Sequence, residues 1–118
     1  MRRRSPRQGD IYMLSMDPTL GTEMQGMRPA LVLSNSESNK QGRALVAPIT
    51  QGANFDRVRG WATSLMGSGT KTQGVAVINQ ARFVDYTARK AQFIESTSPE
   101  VIDDAMNRLQ AAINPEIN

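Results

Sequence analysis

The groups available for chemistry in this 118-residue chain are restricted, because it contains neither histidine nor cysteine. A Ser-His-Asp triad, a histidine acid–base pair and the common zinc sites are therefore excluded. Disulfide bonds and thiolate metal sites are excluded for the same reason. An enzyme built from this chain has to work with carboxylates, hydroxyls, amides, arginine and lysine.

The first candidate is Arg28, which a long Gly-punctuated loop, residues 17–27, delivers directly onto the start of an apolar run. A strand start provides a rigid base, and the planar guanidinium fork suits a phosphate. A structural interpretation is equally available, in which Arg28 pairs with Asp17 or Glu23 and pins the loop. The residues alone leave the two interpretations open.

Two further segments place polar groups where predicted strands end. Thr50 lies where an apolar run gives way to Gln51 and a glycine, so its hydroxyl can face an anion or can cap a turn. Asn79 and Gln80, just before Arg82, can read base edges or hold a turn. None of these signals is specific when taken alone.

These groups are predicted to be positioned by five to seven short strands followed by one helix. Apolar runs and period-two alternation, broken by Gly- and Pro-containing turns, predict strands at 11–16, 29–34, 44–49, 61–66, 74–79, 82–86 and 91–94. Pro48 interrupts the third of these, which indicates a sheet edge or a bulge rather than a central ladder position.

The pattern changes to a helical period after the last predicted strand. Ser98, Pro99 and Glu100 form a helix start signal: an N-cap, a first-turn proline and an acidic residue at the positive end of the dipole. Apolar residues then repeat along one face, and Asn114 and Pro115 end the helix. The expected fold class is mainly β: a small antiparallel barrel or sheet with a C-terminal amphipathic helix packed on it.

Length and charge bound the organisation of the chain. With 39% hydrophobic residues there is room for a single domain, expected at residues 9–114 and followed by a short tail at 115–118. The net charge of +3 owes much to the arginines near the N-terminus, so residues 1–8 are expected to be a basic, disordered tail. No apolar run approaches the roughly 20 residues of a membrane helix, and no secretory signal is visible, so a cytoplasmic protein is expected.

Short motifs in a fixed order make the chain resemble the MazF/PemK/Kid family of toxins from about residue 9 to residue 113. The motifs are Gly-Asp-Ile at 9–11, Asp-Pro-Thr at 17–19, Gly-Thr-Glu at 21–23, Gly-Met-Arg-Pro at 26–29, Ala-Pro-Ile-Thr-Gln-Gly at 47–52, Asn-Phe at 54–55, Gly-Val at 74–75 and Asn-Gln-Ala-Arg at 79–82. Segments 28–34 and 45–52 look closest to the ChpB-like branch. Any one of these motifs is poor evidence for the family, but all of them in the same order and with matching spacing are strong evidence.

The resemblance implies an SH3-like barrel that forms a homodimer, is bound by a cognate antitoxin protein, and contacts DNA only through the toxin–antitoxin complex. It also implies sequence-specific cleavage of single-stranded mRNA, which inhibits translation and requires neither a metal nor a cofactor. In such enzymes the ribose 2′-hydroxyl attacks the adjacent phosphate and leaves a 2′,3′-cyclic phosphate and a 5′-hydroxyl.

The family's catalytic arginine and threonine positions are occupied by Arg28 and Thr50, and Glu23 matches its loop glutamate. Arg28 is expected to stabilise the charge on the phosphorane and to pass a proton to the leaving 5′-oxygen, while Thr50 holds a non-bridging oxygen. Because the high pKa of arginine makes it a poor base, Glu23 is the candidate base for the 2′-hydroxyl.

RNA recognition is expected from polar residues around this pair. Gln80 matches a glutamine that contacts RNA in the family. The other candidate RNA-binding residues are Asn79, Thr22, Gln51 and Arg82. Residues 51–59 are a candidate mobile loop beside the RNA channel.

The chain departs from Kid-type members at three positions. Those members use a histidine in the first loop and an Arg-x-Asp group, where this chain has Thr22, Val77 and Asn79. The Kid-type assignment of base and acid cannot apply, so the chain either works through Arg28 and Thr50 or has lost activity. The presence of Arg28, Thr50 and Gln80 together favours the first.

Two alternative functions come from other classes. CcdB-like toxins share the barrel but block DNA gyrase through a C-terminal tip, and they lack the Gly-x-Arg-Pro element that is intact here at 26–29. The other alternative is a non-catalytic nucleic-acid-binding module that uses Arg57, Arg59 and the basic tail.

Overall fold

The computed structural model describes residues 5–51 and 60–116. Seven strands and a C-terminal helix are present, as predicted, with small shifts at their ends. The elements are β1 (Asp10–Ser15), β2 (Met27–Val32), a short helix α1 (Ser36–Asn39), β3 (Arg43–Thr50), β4 (Ala62–Ser64), β5 (Val75–Val77), a 3-10 helix (Ile78–Gln80), β6 (Arg82–Asp85), β7 (Gln92–Ser96) and α2 (Pro99–Ile113).

The strands form one antiparallel sheet in the order β4-β5-β3-β2-β1-β7, and β6 pairs with β3 beside that path. The mainly β fold with a C-terminal helix is therefore confirmed. The sheet is not closed into a complete barrel, because β4 and β7 stand at its two ends and do not pair within the described part of the chain.

Strand β3 is central, which contradicts the edge position predicted from Pro48. Its first half pairs with β6, from Arg43 to Val46, and its last two residues pair with β5. On the other side Pro48 lies opposite Ala30 of β2. Pro48 falls in the short interval between the β6 and β5 pairings, where the missing N–H leaves no ladder hydrogen bond unmade.

The central strands are buried on both faces, because alternate residues enter two separate cores. One core lies under α2 and contains Ile11, Leu31, Leu33, Ala47, Ile49, Leu65, Ala76, Ile78, Val101 and Ala105. The second contains Tyr12, Leu14, Met16, Ala30, Val32, Ala44, Val46, Val84 and Ala91. Strands β1 to β3 are thus held from two sides, which makes their ends firm supports for functional side chains.

Helix α2 begins as the sequence predicts. The Ser98 side chain accepts a hydrogen bond from the Val101 amide, Pro99 lies in the first turn, and Asn114 is the C-cap. The apolar stripe is packed as far as Leu109 and not at its end: Val101 and Ala105 are buried and Leu109 is partly buried against the core, whereas Ile113 is 69% exposed. Across residues 5–51 and 60–116, no helix has the length and apolar character needed to cross a membrane.

The predicted disordered tail is wrong for residues 5–8, which belong to the fold. Pro6 is buried, and its carbonyl oxygen accepts a hydrogen bond from Asn39 Nδ2 at 2.8 Å. Gln8 Nε2 donates to the carbonyl of Leu33 at 2.8 Å. Because a buried amide such as that of Asn39 requires a partner, this segment is tied to the body of the protein.

Candidate functional site

Arg28 and Thr50 lie across from each other at the ends of β2 and β3. The two strands pair antiparallel with Ala30 opposite Pro48, and continuing this register by two residues brings Arg28 opposite Thr50. Consistent with that register, Arg28 Nη1 lies 3.5 Å from the carbonyl oxygen of Ile49. The sequence-predicted pair is therefore brought together by strand pairing alone.

The Arg28 guanidinium is held by backbone carbonyls and not by a carboxylate. Its Nε donates to the Gln25 carbonyl at 2.8 Å. In the described part of the chain no carboxylate lies within ion-pair distance of Arg28. Asp17 accepts instead from the Gly26 amide and Glu23 from the Leu20 amide. The interpretation of Arg28 as a loop pin through an acidic partner is wrong, and its charge is left to attract an external anion.

Thr50 forms part of the wall of a cavity of about 620 Å³. The rest of the wall comes from the end of β4 and from the β4–β5 loop, residues 65–74. Gly74 closes this loop against Thr50 with a φ of 112°, and a Cβ at Gly74 would collide with the Thr50 carbonyl oxygen. The position of Thr50 therefore depends on a glycine at 74.

Two arginines hold the β1–β2 loop, residues 16–26, from outside. Arg82 Nη1 donates to the Met16 carbonyl at 2.7 Å. Arg89 Nη1 donates to the carbonyls of Ser15 and Asp17 at 2.8 and 2.7 Å. The pinning role considered for Arg28 is thus performed by Arg82, a predicted RNA contact, and by Arg89, which no local sequence pattern singled out.

The remaining predicted RNA contacts differ in how far they are exposed. Gln80 is half-buried in the 3-10 helix, and its Oε1 accepts from the Met24 amide at 2.7 Å, so it supports the same loop. Asn79, Thr22 and Gln51 are exposed, on the 3-10 helix, at the loop tip and directly after β3 respectively. Their roles toward RNA stay predictions.

Glu95 on β7 is a further residue near the site that no sequence pattern predicted. Its carboxylate accepts hydrogen bonds from the Lys71 amide at 3.0 Å and from the Thr72 amide at 2.8 Å, both in the β4–β5 loop. A third bond comes from the Thr72 hydroxyl at 2.7 Å. The hydroxyl bond, followed by the two amides and the Lys71 charge, lowers the pKa of Glu95 against a smaller opposing effect of desolvation.

One predicted region falls outside the described residues. The candidate mobile loop at 51–59 is described only at Gln51, so Arg57, Arg59 and the Asn-Phe motif at 54–55 are not part of the site geometry.

The described geometry suits a phosphodiester. A cation without a carboxylate partner among the described residues and a hydroxyl lie on the neighbouring ends of β2 and β3, and charge-assisted hydrogen bonds from such groups favour phosphate oxygens. The adjoining cavity offers space beside the phosphate for a flat, partly apolar group. Its volume lies within the roughly 300–1,000 Å³ range of small-ligand sites.

Comparison with known proteins agrees with the motifs. The family model described as a PemK-like, MazF-like toxin of type II toxin–antitoxin systems matches residues 7–113. The endoribonuclease toxin ChpB of Escherichia coli (strain K12) is 45% identical over 106 residues, covering 89% of this chain and 91% of that protein. The endoribonuclease PemK of Escherichia coli is 36% identical over 115 residues, covering 96% and 86% respectively.

A solved structure has the same fold. MazF from Deinococcus radiodurans superposes with a TM-score of 0.85 at 24% identity, covering 96% of this chain and 100% of that one. The resemblance inferred from the motifs is confirmed, and the chain belongs to the PemK-like, MazF-like toxins of type II toxin–antitoxin systems.

Proposed function

We propose that this chain is an endoribonuclease toxin that cleaves single-stranded mRNA without a metal and is controlled by a cognate antitoxin. The observation that carries the proposal is the juxtaposition of Arg28, which lacks a carboxylate partner in the described structure, with Thr50 across the β2–β3 pair. ChpB and PemK, which are similar over most of the chain, are themselves named endoribonucleases.

In the proposed reaction the ribose 2′-oxygen forms a bond to the adjacent phosphorus and the bond from phosphorus to the 5′-oxygen breaks. Arg28 neutralises the charge that develops on the phosphorane oxygens, while the Thr50 hydroxyl donates to a non-bridging oxygen. The leaving 5′-oxygen takes a proton from the Arg28 guanidinium, which then regains a proton from the solvent. The products are a 2′,3′-cyclic phosphate and a 5′-hydroxyl, and the in-line geometry itself contributes much of the acceleration.

Glu23 is the proposed base for the 2′-hydroxyl. It lies on the loop that leads into Arg28, and its exposed carboxylate has one oxygen, Oε1, on the Leu20 amide at 2.6 Å. The second oxygen has no hydrogen-bond partner among the described residues, so it can accept the proton of the 2′-hydroxyl. In this scheme the same loop delivers the base to one side of the phosphate and the cation to the other.

RNA contacts are proposed for Gln80, Asn79, Thr22 and Gln51, with Arg82 contributing through the loop that it holds. Because Gln80 Oε1 receives the Met24 amide, its amide nitrogen is the group that faces RNA. The exposed amides of Asn79 and Gln51 can donate to and accept from base edges, which is how single-stranded RNA is read.

The proposed assembly is a homodimer that binds a disordered antitoxin segment. Large apolar side chains remain at the surface of a single chain, including Phe83 at 60% and Ile113 at 69% exposure. Such groups are common where partners pack. An antitoxin segment laid over the Arg28–Thr50 surface would compete with RNA for the same groups.

The test is cleavage of a long single-stranded RNA by purified protein in excess chelator. We expect discrete cuts with 5′-hydroxyl ends, and a loss of roughly 100-fold or more in rate on Arg28→Ala, since one stabilising group at the developing charge is removed. Arg28→Lys keeps the charge but not the fork and should recover little.

Folding of each variant is checked by circular dichroism. Intact RNA under every condition would contradict the proposal, and trapping of DNA gyrase would then test the CcdB-like alternative. Cleavage that persists in Arg28→Ala would remove Arg28 from the mechanism.

A further inference from the structure

The β4–β5 loop is irregular, yet it is linked to the rest of the protein by a continuous set of hydrogen bonds. Gly67 and Gly69 have φ angles of 77° and 83°, which allow sharp turns that other residues resist. The Ser68 hydroxyl lies 2.6 Å from the Leu65 carbonyl and 2.9 Å from the Thr70 hydroxyl. The loop is therefore ordered by its own side chains at its tip.

The outer end of this set is Glu95. Its two oxygens accept three hydrogen bonds from Lys71 and Thr72, while the Thr72 carbonyl accepts from the Thr70 hydroxyl at 2.7 Å. An ionised carboxylate can accept all three bonds at once, which an amide or a shorter neutral side chain cannot. Glu95 is half-buried on β7, at the far end of the sheet order from β4.

The inner side of the loop is a wall of the cavity that Thr50 shares. Met66, Thr70, Thr72 and Gln73 line it together with Thr50. If the scissile phosphate sits on Arg28 and Thr50, the neighbouring nucleotide is the group that reaches this cavity. The wall then decides which base fits.

On the basis of the function proposed above, we propose that Glu95 is a positioning residue that sets the sequence preference of cleavage, by fixing the β4–β5 loop as the wall of a nucleobase pocket beside Thr50. Glu95 acts through the loop and does not touch the substrate, since it binds Lys71 and Thr72 and is not among the residues that line the cavity. A released loop leaves Arg28 and Thr50 on their strands, so the chemistry survives while base selection weakens.

The experiment compares Glu95→Ala and Glu95→Gln with Glu116→Gln, a control at an exposed position beyond the end of α2. Cut sites are mapped on one long RNA of mixed sequence by sequencing the 5′-hydroxyl ends. For Glu95→Ala we expect cuts at additional sequences that differ at one position flanking the cleaved bond. We also expect a fall of roughly tenfold in kcat/KM at the original site, mostly through KM, because charge-assisted hydrogen bonds are lost. Glu95→Gln should be intermediate, since its oxygen still accepts.

A second measurement reports the loop directly. Trypsin cleavage after Lys71, followed by mass spectrometry, should speed up in Glu95→Ala and not in Glu116→Gln, because Glu95 binds the Thr72 amide of that same peptide bond. Thermal melting identifies a variant that fails to fold.

The outcomes separate the two proposals. Wild-type protein that cuts no RNA contradicts the proposed function and the role of Glu95 with it. Active wild-type protein whose Glu95 variants keep the original cut-site map and KM overturns the role of Glu95 alone. The trypsin result does not change this second conclusion. Faster cleavage after Lys71 with an unchanged cut-site map would mean that Glu95 has a structural role only.

Discussion

The two loops that flank the Arg28–Thr50 pair are anchored by opposite chemistry. The β1–β2 loop is held through its carbonyl oxygens by the guanidinium groups of Arg82 and Arg89. The β4–β5 loop is held through its amide hydrogens by the carboxylate of Glu95. A guanidinium stays charged at any pH that the fold survives, whereas a carboxylate titrates. The first anchor is thus permanent and the second is conditional.

The loops also differ in how many supports they have. In addition to the bonds from its two arginines, the β1–β2 loop donates from the Met24 amide to Gln80 Oε1 and from the Gly26 amide to Asp17 Oδ1. The β4–β5 loop starts from the buried side chain of Leu65, is held internally by Ser68 and Thr70, and beyond these receives side-chain hydrogen bonds from another element at Glu95. We therefore expect a single substitution to disturb the β1–β2 loop only slightly, because its other supports remain. A substitution at one of the few supports of the β4–β5 loop should disturb that loop strongly.

The largest effect is expected at the junction of the β4–β5 loop with the site. Gly74→Ala should lower kcat by roughly 100-fold, because its Cβ would displace the Thr50 carbonyl and small misplacements of reacting groups are costly. Gly42→Ala, in the turn before β3 and outside the cavity lining, is the matched control: its φ is also positive, at 106°, but its Cβ meets nothing within 4 Å. Equal activity of the two variants in RNA cleavage would show that the contact with Thr50 does not matter.

A smaller effect is expected from the arginine anchor. Arg89→Ala should reduce the free energy of unfolding by about 1–3 kcal/mol, since it removes charge-assisted hydrogen bonds to the Ser15 and Asp17 carbonyls. Urea denaturation measures the change. The loss should vary little with salt, because the acceptors are neutral, and a strong salt dependence would point instead to an ion pair.

The smallest effect, and the one that distinguishes the two anchors most directly, is on pH. The pKa of Glu95 in the folded loop lies below its ordinary value of about 4.3, so the anchor is fully present above that value and is lost as the pH falls through the lower, folded pKa. The positive charge of Lys71 also lowers the pKa of Glu95, because it favours the ionised carboxylate.

Hydrogen exchange, corrected for its intrinsic pH dependence, checks this at individual amides. Protection of Lys71 and Thr72 should fall across that acidic range, while protection of Met16 and Met24, whose amides donate to neutral oxygens of Gly26 and Gln80, stays level. Glu95→Gln should show low protection of Lys71 and Thr72 with no such step. Parallel loss in both loops would mean that the whole fold, rather than one anchor, responds to acid.

Much of the site follows from local sequence, because strand pairing is what builds it. The apolar runs before Thr50 and after Arg28 predict two strands, and their antiparallel register is enough to bring those residues together. Ser98 and Pro99 likewise begin α2 where the capping pattern predicts, since a helix cap depends on neighbouring residues only.

The anchors could not be predicted in the same way. Arg89 binds Ser15, and Glu95 binds Thr72, across long stretches of chain, and an isolated arginine in a turn or glutamate in a strand has no local pattern that names its partner. Pro48 misled for a related reason: its fit in a central strand depends on where β5 and β6 divide, which is a property of the whole sheet.

The placement of Arg28 and Thr50 on strands, and of the neighbouring surfaces on anchored loops, has a consequence for the evolution of such a protein. Arg28 and Thr50 rest on strands packed between two cores, whereas the surfaces beside them belong to segments tied down from β7 and from the turn after β6. On the proposed function, substitutions at a loop or its anchor can therefore alter which RNA is cut while Arg28 and Thr50 stay in place. In the proposed enzyme, the choice of RNA and the cleavage reaction therefore depend on different parts of one small chain.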